Sequence, residues 1–295
     1  MCVETFELSL PHGITLSCRA CGPGDAPRLI LLHGFPEGAF VWDELMQRLA
    51  PRWRCIAPNL RGYERSSRPE AVEAYRAKHL MADIRALIEA TGGAPVAALV
   101  AHDWGGAVAW NLAAQAPQLM QRLVIINSPH PGTFLRELQQ NPAQREASAY
   151  MNFLCRPDAA ALLAADDYAR LWPFLSAKGG GDSAWLDEPL RRRYRELWDQ
   201  GLEGALNYYR ASPMRPPTPE DPGAMALSFA PGFASVALPT LVIWGIGDLA
   251  LPPSMLEGLD RYVPQLRVER VADAGHWIVH QRPARIAGLI GEFLA

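Results

Sequence analysis

Runs dominated by apolar residues recur along the chain at Arg28–His33, Arg54–Ala57, Val96–Ala101, Leu123–Ile126 and Leu238–Trp244. They lack alternation with polar residues, the pattern of parallel strands covered on both faces. Thr5–Leu10 and Ile14–Arg19 do alternate, on either side of Pro11-His-Gly13, and predict a hairpin with one solvated face. Leu266–Val271 predicts one more strand. Helices are predicted at Phe40–Leu49, at Tyr75–Ala90, from Ala107 to Gln115 and at Ala284–Leu294. In the second of these, Leu80, Ile84, Leu87 and Ile88 keep a helical spacing until Thr91-Gly-Gly93 stops it. Strands alternating with helices predict an α/β fold: a mostly parallel, doubly wound sheet with helices on both faces.

From Ser128 to about Gly232 the buried β-runs stop. The sequence there is helical and aromatic (Trp172, Trp185, Trp198, Tyr208, Tyr209), broken by Gly179-Gly-Gly181 and by the proline-rich stretch from Pro213 to Pro222. An insertion of this length inside a sheet domain is usually functional. The expected division is a core of residues 1–128 and 233–295 and a helical cap, or lid, over 129–232.

Composition narrows the function classes. Charged residues make up 20% of the 295, the net charge is -3, and no Lys/Arg cluster marks a nucleic-acid surface. The apolar runs are strand-sized and the first residues lack a basic start followed by an apolar core, so neither a membrane span nor a signal peptide is expected and the location is expected to be cytoplasmic. Five cysteines lack framework spacing, and Cys18-Arg-Ala-Cys21 has no second pair to complete a metal site. His33, His102, His130, His276 and His280 show no ligand spacing, so no metal and no cofactor is expected. Monomer and homodimer are both left open.

Ligands of open parallel sheets bind beyond the carboxyl ends of the strands. Four such ends carry suggestive residues. The run Ala98-Leu-Val-Ala-His-Asp103-Trp-Gly-Gly106 passes from strand to helix with almost no room for a turn. Ala101 and Gly105, two residues on either side of Asp103, are both small, as a nucleophile elbow requires. Taken singly, Asp103 reads equally well as a helix N-cap. At His33-Gly-Phe-Pro36, Gly34 allows an unusual backbone angle and Pro36 restricts Phe35, so the Phe35 N–H can face an oxyanion beside the N–H of Trp104. Trp244-Gly-Ile-Gly-Asp248 and Asp273-Ala-Gly-His276-Trp277 complete the set. Asp103, Asp248 and His276 follow the chain order nucleophile, acid, histidine, each after a strand. Asp273 competes as the acid, but three residues from His276 it is poorly placed to reach the far imidazole nitrogen.

These motifs resemble the epoxide hydrolases of the α/β-hydrolase fold over nearly the whole chain. The residues that carry the resemblance are His33-Gly-Phe-Pro-Glu37, His102-Asp-Trp-Gly-Gly106, Asn127-Ser-Pro-His-Pro131, Asn207-Tyr-Tyr-Arg210, Gly247-Asp248, and Gly275-His-Trp277 with Gln281-Arg-Pro283. Ala101 stands where the family often has Gly. The resemblance implies two cap tyrosines that grip the epoxide oxygen: Tyr209, just before Arg210, and Tyr150, early in the cap. Tyr168 is the rival to Tyr150, but within Asp166-Asp-Tyr-Ala-Arg170 it reads as a solvated helix start. Phe35, Trp104, Phe153, Tyr208 and Trp277 are expected to line the pocket, and Trp172, Phe174 and Trp185 add to its apolar character.

The implied chemistry suits the residue types. A carboxylate is ionised at neutral pH and needs no base to displace an oxygen at saturated carbon. Phenols can protonate the departing alkoxide. A histidine oriented by an acid can activate the water that cleaves the resulting ester. The expected partners are therefore a small apolar epoxide and water, with a vicinal diol as product. A haloalkane dehalogenase shares the aspartate and the following Trp, but it also needs a halide donor near the His-Gly turn, where Phe35 offers none. A fluoroacetate dehalogenase would need Arg in place of Trp104, and a serine esterase would need Ser in place of Asp103. A non-catalytic ligand-binding member of the fold is the remaining alternative.

Overall fold

A computed structural model describes residues 2–176, 179–230 and 232–295. Eight strands form one sheet: β1 (Glu4–Ser9), β2 (Thr15–Cys21), β3 (Arg28–Leu32), β4 (Arg54–Pro58), β5 (Val96–His102), β6 (Met120–Ile126), β7 (Thr240–Gly245) and β8 (Leu266–Val271). Their order across the sheet is β1-β2-β4-β3-β5-β6-β7-β8. The hairpin partners β1 and β2 are antiparallel, as are β2 and β4, and every later pairing is parallel.

The helices of the first half are α1 (Asp43–Leu49), α2 (Ala77–Ala90) and α3 (Asp103–Gln115). Seven more lie between β6 and β7: α4 (Pro131–Gln140), α5 (Pro142–Ala147), α6 (Tyr150–Leu154), α7 (Ala159–Tyr168), α8 (Trp172–Leu175), α9 (Glu188–Trp198) and α10 (Glu203–Arg210). After β8 come α11 (Ile278–Gln281) and α12 (Pro283–Leu294). Among the described residues no helix is long and apolar enough to cross a membrane.

The unbroken apolar strand sequences follow from double cover. Successive strand side chains point to opposite faces. Leu29, Leu31, Ala98, Val100, Val124, Ile126, Leu241 and Ile243 pack with Trp42, Leu45 and Met46 near α1 and with Ile286 and Ile290 of α12. Their neighbours Ile30, Leu32, Leu99, Ala101, Leu123, Ile125 and Val242 pack instead with Ile84, Leu87 and Ile88 of α2 and Val108 and Leu112 of α3. Both residues of each alternating pair must therefore be apolar. The second core continues into the helices after β6, through Leu154, Leu163, Tyr194 and Leu206.

Two expectations change. The helix after β5 begins at Asp103 itself, four residues before Ala107, because Gly105 and Gly106 let its first turn lie against the backbone of Leu32 and His33 and against Ser128. Tyr168 ends a helix instead of starting one: its φ of 60° and those of Asp166 and Asp167 at 53° break α7. Its hydroxyl donates to Asp199 at 2.5 Å, and its ring packs on Trp198, remote from Asp103.

Candidate active site

Asp103 stands at the carboxyl end of β5 with φ 50°, the left-handed region that non-glycine residues rarely adopt. A turn this sharp requires close packing around it. A Cβ on Gly105 would overlap the carbonyl of Leu32, and one on Gly106 would overlap Ser128. The Ser128 hydroxyl donates to the Asp103 carbonyl at 2.7 Å and holds the turn from the β6 side.

The loop after β3 supplies the first partner. The Phe35 N–H donates to Asp103 Oδ1 at 2.7 Å. Trp104, second in α3, has an N–H with no carbonyl four residues back, so it too is free to donate out of the helix. Gly34 serves a different purpose from the one its sequence context suggests. Its φ is not positive, and its role is room: a Cβ there would fall 2.6 Å from Asp103 Cγ and closer still to its Oδ1 and Cβ. His33 points away. Its Nε2 accepts from the Leu60 N–H at 3.0 Å, and burial lowers its pKa to about 4, so it stays neutral.

Asp248 and His276 arrive from the ends of β7 and β8. His276 Nδ1 lies 2.7 Å from Asp248 Oδ2, and its Nε2 faces Asp103 Oδ2 at 3.7 Å, too long for a direct hydrogen bond. Asp248 is buried with every oxygen occupied. Oδ1 accepts from the N–H groups of Ala250 and Leu251 at 2.9 and 2.8 Å, and Oδ2 accepts from Asn127 Nδ2 at 2.8 Å. Burial alone would lower the His276 pKa, but the charge and hydrogen bond of Asp248, helped by Asp103 and Glu37, outweigh it and raise it to about 9. Asp273 is excluded as the orienting acid, since it is exposed and paired with Arg282 at 2.7 Å.

Two chambers meet at Asp103. One, of about 290 Å³, is lined by Trp104, Val108, Tyr208, Met214 and Phe233, among others. The second, of about 450 Å³, is lined by Phe35, Phe174, Ala250, His276 and Trp277. Asp103, Tyr150 and Tyr209 border both. Tyr150 comes from α6 and Tyr209 from α10, with ring centres 6.2 Å apart and the rings packed edge to face. Tyr209 is wedged edge-on between Phe35 at 5.2 Å and Trp104 at 5.1 Å. Burial, then neighbouring charge including that of Asp103, drives both phenols well above their ordinary pKa and keeps them protonated.

Among the expected pocket residues, Phe35, Trp104, Tyr208 and Trp277 line a chamber, and Phe153 does not. On the five-residue α6 the cavity side is set by Tyr150 and Met151, and a residue at position 153 is turned about 110° from their bisector at 3.6 residues per turn. Phe153 packs instead against the apolar core. Phe174 takes the aromatic place, while Trp172 packs on Tyr194 and Trp198, and Trp185 stacks on His280 at 4.2 Å.

Two supporting residues escaped the sequence reading. Asn127, buried with φ 38°, also accepts from the Gly245 N–H at 2.8 Å, so it ties β6, β7 and the acid loop together. Glu37, wholly buried, accepts from the Tyr194 hydroxyl at 2.7 Å and lies 2.8 Å from His280 Nε2 and 3.4 Å from His102 Nδ1. Burial would raise its carboxyl, but His102 and His280 outweigh that and hold it well below the usual carboxylate range. Both residues stand inside motifs quoted above. Their only signal was position, because a buried polar residue and a solvated one are the same letter.

A family model described as alpha/beta hydrolase fold matches residues 27–283. The AB hydrolase superfamily protein YfhM of Bacillus subtilis is 36% identical over 289 residues, which span 96% of this chain and 95% of that protein. Epoxide hydrolase 4 of Mus musculus is 30% identical over 285 residues, spanning 96% and 77%. A solved structure among novel epoxide hydrolases from metagenomes of hot environments has a TM-score of 0.85 at 36% identity, over 100% of this chain and 99% of that one. The chain belongs to the α/β-hydrolase fold family, on the branch that holds the epoxide hydrolases.

Proposed function

We propose that the protein is an epoxide hydrolase that converts an apolar epoxide to a vicinal diol through an ester on Asp103, with residues 129–232 acting as a lid over the site. The observation that carries this reading is the pair of protonated phenols, Tyr150 and Tyr209, bordering the same cavities as the Asp103 carboxylate. A leaving alkoxide in an apolar chamber needs proton donors opposite the nucleophile.

In the first step Oδ1 stays on the Phe35 N–H and Oδ2 attacks a ring carbon. The new C–O bond forms as the ring C–O bond breaks, and the departing oxygen takes a proton from the phenol pair. In the second step His276 Nε2 takes a proton from a water that adds to Asp103 Cγ. The 3.7 Å separation of Nε2 from Oδ2 is in keeping with base action through water instead of direct contact. The oxyanion develops on Oδ1 against the N–H groups of Phe35 and Trp104; collapse breaks the Cγ–Oδ2 bond, Oδ2 leaves in the diol with the proton that His276 returns, and the proton on the new carboxyl afterwards restores the phenol pair. Protonated His276 cannot perform this step. Esterification removes the Asp103 charge that helps hold its pKa up, so making the ester primes its own hydrolysis.

The chambers on either side of Asp103 give room for apolar substituents. A dehalogenase reading is disfavoured because Phe35, after the His-Gly turn, has no side-chain donor for a halide. The direct test is parallel turnover of styrene-type and aliphatic epoxides against chloro- and bromoalkanes, with a single turnover in heavy-oxygen water. First-cycle diol should carry an unlabelled oxygen from Asp103. Halide release without diol, or solvent oxygen entering directly, defeats the proposal.

A further inference from the structure

The run Gly179-Gly180-Gly181 lies between the loops that carry Asp248 and His276. Its contacts there are close enough to exclude side chains. A Cβ on Gly180 would overlap the carbonyl oxygen of Gly247, one on Gly179 would overlap the Trp277 indole, and one on Gly275 would overlap the carbonyl of Gly179. Gly180 and Gly181 also have φ of 70° and 71°, a second reason for glycine.

Gln281, buried on α11, fastens these segments together. Its Oε1 accepts from the Gly275 N–H at 2.8 Å, and its Nε2 donates to the carbonyls of Gly180 at 3.1 Å and Asp182 at 2.8 Å. The His276 N–H donates to Gly179 O at 2.7 Å, and the Trp277 indole donates to Phe174 O at 2.8 Å. Phe174 in turn meets Phe35 and Tyr150 edge-on at the second chamber. The loop bearing the histidine is thus held on one side by the lid.

We propose that Gln281 is a positioning residue for ester hydrolysis: by clamping Gly275 to Gly180 and Asp182, it keeps His276 one water away from Asp103 and contributes nothing to ring opening. This rests on the ester mechanism above. Ring opening uses Asp103 and the two phenols, none of which Gln281 touches. Hydrolysis depends on where Nε2 sits, and a displacement of about 1 Å can cost on the order of a hundred-fold.

Gln281→Met keeps the side-chain length and removes all three hydrogen bonds, while Gly180→Ala drives a Cβ into the Gly247 carbonyl oxygen and pushes the glycine run away from the loops it separates. Each variant would be followed through one turnover of a styrene-type epoxide, with ester read as intact protein mass after acid quench and diol by chromatography. The ester should form at close to the wild-type rate and then persist, its hydrolysis slowed on the order of ten- to a hundred-fold. Gln281→Glu, which keeps the acceptor for Gly275, should hydrolyse its ester faster than Gln281→Met. Equal slowing of both steps, the signature of general structural damage, overturns the proposal, as does unchanged hydrolysis in both Gln281→Met and Gly180→Ala. A wild type that yields neither ester nor diol defeats the ester mechanism itself, and this inference with it.

Discussion

The hydroxyls of Tyr150 and Tyr209 bear most directly on the chemistry. Phe at position 209 keeps the ring contacts with Phe35 and Trp104, and at 3% exposure the site loses no burial, so the fold should be untouched. What disappears is one donor aimed at the leaving oxygen. Such a donor contributes about 2.7–4 kcal/mol in a water-poor site, or roughly a hundred- to a thousand-fold in rate at about 1.36 kcal/mol per decade. The two phenols border the same chambers, so in Tyr209→Phe the Tyr150 hydroxyl remains beside the cavity as a substitute. The single variant should therefore fall at the lower end, about a hundred-fold, and the double Tyr150→Phe/Tyr209→Phe variant should lose on the order of ten-thousand-fold. The assay is the rate of ester appearance by intact mass in a single turnover, with hydrolysis of the preformed ester as internal control, since that step uses neither phenol. A double variant that opens epoxides within about ten-fold of wild type would refute the role given to the tyrosines.

Three further outcomes follow from the site. Ester hydrolysis requires neutral His276, whose resting pKa is about 9, so its rate should climb with pH and level off above the pKa of the base in the ester, while ester formation stays flat with both phenols protonated; a flat hydrolysis profile across the same range removes His276 as the base. Asn127→Ala strips a partner from the Gly245 N–H and from Asp248 Oδ2 in a fully buried setting. Asp248 Oδ2 keeps His276, so the Gly245 N–H is the group left unsatisfied; at about 1–3 kcal/mol for such a group, urea unfolding should register a loss of about 1–3 kcal/mol, and a loss below about 0.5 kcal/mol would contradict that role. Gly34→Ala brings a Cβ to 2.6 Å from Asp103 Cγ and should abolish ester formation in a folded protein; ester formed at the wild-type rate would remove the need for glycine at this position.

Local pattern carried a great deal. Period and run length marked every strand of the sheet, because double cover forces both faces of β3, β5, β6 and β7 to be apolar. The small residues around Asp103 and the chain order of Asp103, Asp248 and His276 were readable because a strand-to-helix turn this tight excludes bulk in any sequence context. The resemblance to a known family carried the tyrosines, for which periodicity alone had no signal.

Other features depended on which parts of the chain meet. Gly34 looked like a glycine needed for its backbone angle and proved to be one needed for space, since the obstructing carboxylate is 69 positions away in sequence. Phe153 and Phe174 both lie between β6 and β7, and only the packing of two short helices decides that the second faces the chamber. Asn127, Glu37 and Gln281 take their meaning from groups they can satisfy only once remote loops are brought together. The sequence by itself determined the sheet and the tight turn at Asp103, because these rest on local sterics and period. The tertiary structure alone decided the separation of His276 from Asp103, the aromatic that lines the pocket and the buried polar groups that hold the loops, because each is a balance of hydrogen bonding and close packing among segments far apart in the chain.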